Sequence, residues 1–466
     1  MREHTLKTAR RSRTRTRRTA AGVAGGLALA AALAACGSSS SGSSSSAQGN
    51  TGSTADSASS IAAALQKPTT LTVWAWAPQD KEIVAAFEKK YPKVKVNLVN
   101  AGTSTTEYTK LQTAIKAGSG APDIAQIEYY ALPQFALESS LANIDTLGLA
   151  DLKSQFSTAV WDSVDVNGTV VGLPQDTGPM ALFYNKTVFD KYHLQVPTTW
   201  AQYVADAKKL HAANPKEYIT NDVGDPGFLT SMIWAAGGHP YVTSGTKNVT
   251  INLQDAGSKK FGSLWSPLIS GGQLDPIASW STQWYQGLAN GSIASLVTGG
   301  WMGVDLETGV PTGKGDWRVA PMPEWTAGQA ADSENGGSSN AILSSSKNQL
   351  AAAGFLEYMD SGAGAQISAS TGDFPAASAI LSSSSWQNVA PAYFGGEAIN
   401  KVLAQASDNV LPGWSYLPFQ VYANSIFPNT VGQAYTGKTT LDAGMQAWQQ
   451  QSASYGTQQG FSVTSK

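Results

Sequence analysis

The chain has 466 residues, enough for two ordinary domains. Charged residues make up only 14% of it and the mean hydropathy is −0.17, which excludes both a bundle of membrane-spanning helices and a charge-rich disordered chain. The formal net charge of −2 hides a segregation, because residues 1–36 hold eight basic residues and one acidic residue, leaving 23 basic and 32 acidic side chains in the rest. An acidic body of this kind argues against binding nucleic acid.

The first 36 residues have the plan of a secretory signal. The basic segment ends at Arg18, and an uncharged run rich in alanine and glycine covers 19–35. The sequence Leu33-Ala34-Ala35-Cys36 resembles the bacterial lipobox, in which the cysteine is lipidated and becomes the new N-terminus. We therefore predict a lipoprotein signal peptide over 1–35 and lipidation at Cys36, with the Sec or twin-arginine export route left open. This single cysteine also excludes a disulfide framework within the chain.

Residues 36–67 are predicted to be a flexible tether. Most of this segment is serine, glycine, alanine and threonine, and such a composition buries too little apolar surface to offset its ordering entropy.

A regular pattern of strands and helices begins after Pro68. Alternation predicts strands over 71–76, 94–98 and 121–127, and apolar residues at helical spacing predict two intervening helices. Asp80 is predicted to cap the first helix, and Gly118 follows the second. This β-α-β-α-β order predicts a parallel sheet, with ligand sites at the carboxyl ends of its strands.

Two short motifs carry further information. Asn167-Gly168, between β-branched residues, predicts a β-hairpin. The segment 432–439 matches the phosphate-binding pattern G-x-x-x-x-G-K-T, but the residues before it read as a helix rather than a buried strand. We therefore interpret Gly437 as the end of one helix and Thr439 as the cap of the next.

A series of short segments runs along the chain in a fixed order: 71–76, Glu88-Lys89-Lys90-Tyr91-Pro92, Ala121-Pro122-Asp123-Ile124, Gly172-Leu173-Pro174-Gln175-Asp176, Leu182-Phe183-Tyr184-Asn185-Lys186, Pro197-Thr198-Thr199-Trp200, 291–296, Gly299-Gly300-Trp301, Gly336-Gly337-Ser338, Ser346-Lys347-Asn348 and 351–359. No single segment is specific, but their order and spacing together are. Over about residues 71–450 they resemble one known family, the extracellular solute-binding proteins of sugar-importing ABC transporters, the maltose-binding-protein-like group.

The resemblance implies an α/β fold of the periplasmic-binding-protein-like type II, in which two α/β lobes joined by a hinge hold the ligand in the cleft between them. Chain crossings near 170–177 and 317–323 would then make residues 68–175 plus 323–372 lobe 1, and residues 176–322 plus 373–466 lobe 2.

Candidate ligand-binding residues follow from strand ends and from the resemblance. Aromatic faces cover the C–H faces of sugars, while polar side chains bind the hydroxyls. Trp301, after Gly299-Gly300, resembles the family's sugar-stacking aromatic of the second lobe. Trp200 and Trp265 read better as core residues. The predicted ligand-binding set is Trp76, Gln79, Glu128, Tyr129, Tyr130, Asp176, Trp234, Trp284, Trp301, Asp305, Gly336, Gly337 and Trp414.

By this resemblance the chain is a sugar-binding lipoprotein of an ABC importer. It would act as a monomer on the outer face of the cytoplasmic membrane, bind a saccharide and deliver it to the permease subunits, with no cofactor, no metal and no catalytic residue. Three alternatives stay open: a receptor for another solute such as a peptide, polyamine or iron complex; a secreted glycoside hydrolase using Glu128 and Asp176; and a structural surface lipoprotein.

Overall fold

The computed structural model describes residues 54–466. The predicted signal peptide, Cys36 and residues 37–53 of the predicted tether lie outside the described residues. Within 54–466 we find no helix with the length and apolarity needed to cross a membrane.

The described chain forms eleven strands in three sheets. They are β1 Thr69–Trp74, β2 Val94–Val99, β3 Ile124–Glu128, β4 Leu173–Pro174, β5 Met180–Asn185, β6 Tyr241–Ser244, β7 Asn248–Ile251, β8 Ser295–Gly299, β9 Trp317–Pro321, β10 Ser338–Ile342 and β11 Ser462–Ser465. The sheet orders are β2-β1-β3-β10-β4, β8-β5-β9 and β11-β7-β6.

Nineteen α-helices surround these sheets in the described part of the chain. They are α1 Thr54–Ala64, α2 Asp80–Lys90, α3 Thr105–Ala117, α4 Leu132–Leu137, α5 Thr158–Asp162, α6 Lys186–Lys191, α7 Trp200–Ala213, α8 Pro226–Ala235, α9 Ala256–Ser270, α10 Thr282–Asn290, α11 Met302–Gly309, α12 Gln349–Leu356, α13 Ala363–Ser370, α14 Ser378–Leu381, α15 Ser384–Gln387, α16 Ile399–Asp408, α17 Gln420–Ile426, α18 Gly432–Tyr435 and α19 Leu441–Gln458.

The five-stranded sheet confirms the predicted β-α-β-α-β unit. Strands β1, β2 and β3 pair in parallel, with α2 and α3 as the crossovers. Strand β10 then returns to this sheet more than 200 residues later and pairs antiparallel with both β3 and β4. The carboxyl ends of β1 and β3 and the amino end of β10 therefore share one edge, which is where ligands bind in such sheets.

The second lobe is built on the sheet β8-β5-β9. Both faces of β5 are buried, because Met180 and Leu182 belong to one apolar cluster while Ala181 and Phe183 belong to another. Trp200 and Trp265 are fully buried in the first of these clusters, as predicted. The first lobe has a separate core, drawn from residues 61–173, 341–359 and Ala376.

Three chain segments cross between the lobes and are hydrogen-bonded to one another. They are 175–179, 332–337 and 373–376, which we call the hinge. Ala376 N donates to Gln175 O at 3.1 Å, Asn335 N donates to Gly178 O at 2.7 Å, and Thr177 N donates to Phe374 O at 3.2 Å. Because the three crossings form one ladder, the lobes can rotate only by bending all three segments together. The exact lobe boundaries given above stay predictions.

Helix α1 shows that the predicted tether is wrong for its last residues. Residues 54–64 are helical, and Ile61 and Leu65 are both 4% exposed in the core of the first lobe. They pack on α12 at Gly354, where a Cβ atom would lie 2.9 Å from Ile61 Cγ2 and 2.8 Å from Leu65 Cδ1. Ile61 on the helix and Leu65 just after it, with Ala64 packed beside them, dock a segment whose composition is otherwise that of a linker.

Replacing Ile61 and Leu65 together by serine is expected to undock α1 while the rest of the fold stays intact. The free energy of unfolding should fall by about 1–3 kcal/mol, less than for a deep core site because the helix can separate alone. Hydrogen exchange should lose its protection over 58–66 only. The double substitution of Ala62 and Ala63 by serine, on the exposed face, is the control. Equal loss of protection in the control would contradict this role of the buried face.

Three local predictions have definite outcomes. The Asn167-Gly168 hairpin is confirmed, since both residues have positive φ (56° and 80°) and Val166 and Thr169 exchange backbone hydrogen bonds. The phosphate-loop pattern lies in α18 and the turn after it, where Gly437 has φ 71°, but the cap of α19 is Thr440 and not Thr439. Asp80 is not a cap either, because the helix already begins there.

Candidate functional site

A cleft of about 620 Å³, the first chamber, opens between the lobes. The first lobe contributes the start of α3 and the end of β3, and the hinge contributes Asn335 and Gly336. The second lobe contributes most of the remaining wall, through segments 220–231, 278–284 and 296–302. The chamber therefore changes shape whenever the lobes move.

A group of three tryptophans forms one wall of the first chamber. The ring of Trp280 lies 5.1 Å from that of Trp284 and 5.8 Å from that of Trp301. Trp284 Nε1 donates to Asn221 Oδ1 at 2.8 Å, and Trp301 Nε1 donates to Asn335 O at 2.7 Å. These bonds fix two of the three indoles in orientation, as a stacking surface requires.

The facing wall from the first lobe is polar. Tyr108 OH donates to Glu128 Oε2 at 2.9 Å, and the hydroxyls of Ser104 and Tyr130 share a hydrogen bond of 2.7 Å. Burial raises the pKa of Glu128, and it raises the pKa of the neighbouring Glu107 to about 8. A carboxyl held in this way accepts hydrogen bonds from hydroxyl groups.

A second chamber of about 280 Å³ lies beside the first, and Tyr416 lines both. Its first-lobe wall includes Tyr129 and the hairpin region, and its second-lobe wall includes Trp234 and Trp414. These two indoles are stacked, with centroids 5.2 Å apart and an interplanar angle of 7°. We call the two chambers together the groove.

The structure brings eight of the thirteen predicted site residues to the groove. Those lining the first chamber are Glu128, Tyr130, Trp284, Trp301 and Gly336. Those lining the second chamber are Tyr129, Trp234 and Trp414.

The other five line neither chamber: Trp76, Gln79, Asp176, Asp305 and Gly337. Gln79 Nε2 donates to Asp373 Oδ2 at 2.6 Å, and Asp176 Oδ1 accepts from Ser338 N at 2.6 Å, so both side chains are engaged at the hinge. Gly337 has φ 90°, and a Cβ atom there would lie 2.7 Å from the ring of Tyr129. Burial and the charge of Asp373 raise the pKa of Asp305 to about 6.

The backbone N–H of Trp76 donates to Gln126 Oε1 at 3.0 Å, while its ring packs on the core of the first lobe. The predicted strand ends correctly placed these residues near the cleft. They gave no information on which side chains turn into the cleft and which turn towards the hinge.

Sequence reasoning missed other groove residues. The most prominent are Trp280, Asn221, Asp225 and Tyr416. The signal for Trp280 was its place four residues before Trp284, in a short serine-rich segment unsuited to a core helix. The remaining three are single polar or aromatic residues in loops, with no pattern around them.

Within residues 54–466, no three His, Cys, Asp or Glu side chains are arranged to hold a metal ion. Both chambers are lined without any lysine, arginine or histidine from this part of the chain.

Residues 75–366 match the family model of the bacterial extracellular solute-binding protein. The chain belongs to this family. An ABC-transporter-associated binding protein from B. animalis subsp. lactis, solved in complex with β-1,6-galactobiose, is 45% identical to this chain in sequence. The two structures superpose with a TM-score of 0.80, and the match covers 85% of this chain and 99% of that one.

Two further proteins are similar at lower sequence identity. The galacto-N-biose/lacto-N-biose I-binding protein of Bifidobacterium longum, in complex with lacto-N-biose, is 27% identical, with a TM-score of 0.75 and coverage of 85% and 98%. The arabinooligosaccharide-binding protein of Halalkalibacterium halodurans is 25% identical over 318 residues, which are 64% of this chain and 69% of that protein. These matches agree with the two-lobed α/β architecture described above.

Proposed function

We propose that this member of the family is the sugar-binding component of an ABC importer, and that it binds a neutral saccharide in the groove between its lobes. The observation that carries the proposal is the groove itself, where tryptophan faces on one lobe oppose hydroxyl and carboxyl groups on the other. The similar Bifidobacterium and Halalkalibacterium proteins, which are named for sugars or hold them, support the same ligand class.

The chemistry of the groove suits a neutral ligand. Indole faces cover the C–H faces of a pyranose or furanose ring, and Glu128, Asn221 and Asp225 offer partners for hydroxyls. A uronic acid or a sugar phosphate would bring a negative charge to a groove that is lined by carboxyl groups and to which residues 54–466 contribute no cationic side chain. Binding such a ligand would cost free energy that no ion pair recovers.

Closure follows from the placement of the groove. A saccharide bound in the first chamber contacts Tyr130 of the first lobe and Trp301 of the second. The closed arrangement offers both sets of contacts, whereas an open arrangement offers one, so the ligand shifts the population towards closure. We propose that the closed form is what the permease recognises.

Location and assembly complete the proposal. Lipidation at Cys36 would hold the protein on the outer face of the cytoplasmic membrane, beside the permease subunits. We propose that it acts there as a monomer.

A glycoside hydrolase is the alternative with the most similar site, but the two carboxyl groups suspected for it do not both line the groove. Hydrolysis needs two carboxyl groups on either side of the scissile bond, about 5–9.5 Å apart. Of the suspected pair, Glu128 lines the first chamber, but Asp176 lines neither chamber and accepts a hydrogen bond from the hinge backbone. The suspected pair therefore does not flank a ligand in the first chamber.

Thermal unfolding against a panel of ligands tests the proposal. The panel should contain galactose-, arabinose- and glucose-based mono- and oligosaccharides, with galacturonic acid, spermidine and a tripeptide as controls. A sugar at 100 times its Kd should stabilise the protein by about 2.7 kcal/mol. We expect stabilisation by one related set of neutral sugars, each recovered unchanged by chromatography. Stabilisation by spermidine or the peptide alone would overturn the ligand class, and cleaved sugar would restore the hydrolase.

A further inference from the structure

Trp280 is strained and exposed at the same time. Its backbone has φ 69°, the left-handed region that a bulky residue rarely adopts, and 52% of the residue is exposed. It directly precedes Ser281, the N-cap of α10, whose hydroxyl accepts a hydrogen bond from Trp284 N. Exposure of a large aromatic residue and an unfavourable backbone conformation both oppose folding.

The surroundings of Trp280 point into the first chamber. Its ring leans on Trp284 and Trp301, with interplanar angles of 50° and 32°, and it lines the cavity with them. The indole N–H groups of Trp284 and Trp301 are both used by the protein. No hydrogen-bond partner from the described residues faces Trp280 Nε1, so this donor is available to a ligand.

A purely structural role for Trp280 explains less. A hydrophobic residue just before the N-cap can staple a helix by packing on the fourth residue of its first turn, which here is Tyr285. Trp280 instead contacts Trp284, one position earlier, and leaves half of its surface in solvent. A staple also needs no left-handed backbone.

We propose that Trp280 is a specificity-determining residue of the groove, kept in a strained conformation because its ring stacks on the bound saccharide and its N–H donates to a sugar hydroxyl. This inference rests on the proposed function and adds to it a contact at the rim of the first chamber. The preferred ligand then has a ring with a flat C–H face and a hydroxyl at the edge of that face.

The test compares two substitutions in the full-length protein. Asparagine tolerates the left-handed region, so Trp280→Asn removes the ring and keeps the backbone. We expect its urea midpoint to equal or exceed that of the native protein, while calorimetry shows at least a tenfold weaker affinity for the sugar identified by the panel. Trp280→Phe keeps a stacking face and loses only the N–H, so we expect a smaller loss of affinity.

His193 supplies a matched control. It also has positive φ (50°) and is exposed, but it lines neither chamber. His193→Asn should leave sugar affinity unchanged. A lower urea midpoint for Trp280→Asn with unchanged affinity would establish the staple and overturn the inference, leaving the proposed function standing. Failure of the native protein to bind any sugar would overturn both.

Discussion

Replacing Gly178 by alanine is expected to destabilise the protein by about 3 kcal/mol, because the hinge has no room for a side chain there. A Cβ atom would lie within van der Waals overlap of Asn335 O and only 2.9 Å from Asn335 C, and both are backbone atoms. The same two residues are tied together by the hydrogen bond from Asn335 N to Gly178 O. The crossing segments must separate for the methyl group to fit.

Denaturant unfolding of Gly178→Ala measures this effect, and Gly303→Ala is the control. Gly303 lies in α11, where the nearest atom to a new Cβ is Ile399 Cδ1 at 3.6 Å, an ordinary contact. There the substitution should be neutral or stabilising by up to about 1 kcal/mol, since alanine favours the helix. Equal stability of the two variants would contradict the close approach of the hinge strands.

Replacing Asp80 by asparagine is expected to stabilise the protein strongly at and above pH 8 and hardly at all near pH 4. Asp80 is fully buried in the first turn of α2, and neither of its carboxyl oxygens has a hydrogen-bond partner among the described residues. Burial, and then the negative charge of Asp373, raise the pKa of Asp80 from 3.8 to about 8. Asp360 also lies close enough to feel the charge of Asp80.

The sign of the effect follows from proton linkage. The folded protein keeps the proton of Asp80 up to about pH 8, whereas the unfolded chain releases it near pH 4. Stability is therefore highest below pH 4 with respect to this group, and it falls as the pH rises towards 8. The loss is on the order of 5 kcal/mol at its limit. An uncharged asparagine escapes this loss.

Urea unfolding of Asp80→Asn and the native protein between pH 4 and pH 9 measures the difference. Asp151→Asn is the control, because Asp151 is exposed at the surface. The difference in unfolding free energy between Asp80→Asn and the native protein should widen from pH 4 to about pH 8 and then level off, and the control should run parallel to the native protein. A constant difference across the range would mean that Asp80 does not carry a raised pKa.

The first half of the first lobe could be predicted from the sequence because its strands and helices follow from patterns among neighbouring residues. Apolar alternation in β1, β2 and β3 and the spacing of apolar residues in α2 and α3 repeat over windows of a few residues. Strand β10, of sequence Ser338-Ser339-Asn340-Ala341-Ile342, has no such pattern. It becomes a strand because β3 and β4, more than 160 residues away, offer it two open edges.

Predictions from composition and residue type were wrong at two places where a few side chains determine the local structure. Helix α1 looked like a linker because Ile61 and Leu65 are the large apolar side chains among the small and polar residues of this segment. Asp80 looked like a helix cap because aspartate is a common capping residue, and the sequence does not show whether an aspartate at a helix start is a cap or is buried. Both errors come from tertiary context, which local pattern does not contain.

The sequence predicted the kinds of residue that line the cleft better than it predicted which individual residues do so. Tryptophans near glycines indicated aromatic surfaces in the cleft, and Trp284 and Trp301 do line it. Asp176 and Gln79 turn towards the hinge, since backbone and side-chain partners there satisfy them. The sequence marked Trp280 only by its spacing from Trp284, because its exposure and its backbone strain appear only in three dimensions.

The central claim is that a neutral saccharide lies between the two lobes. A crystal structure of the protein with the sugar that stabilises it most tests this directly. The account predicts sugar density in the groove, in contact with Trp301 and Trp280 on one side and with Tyr130 or Glu128 on the other. Sugar density that contacts only one lobe, or that lies outside the groove, would contradict it.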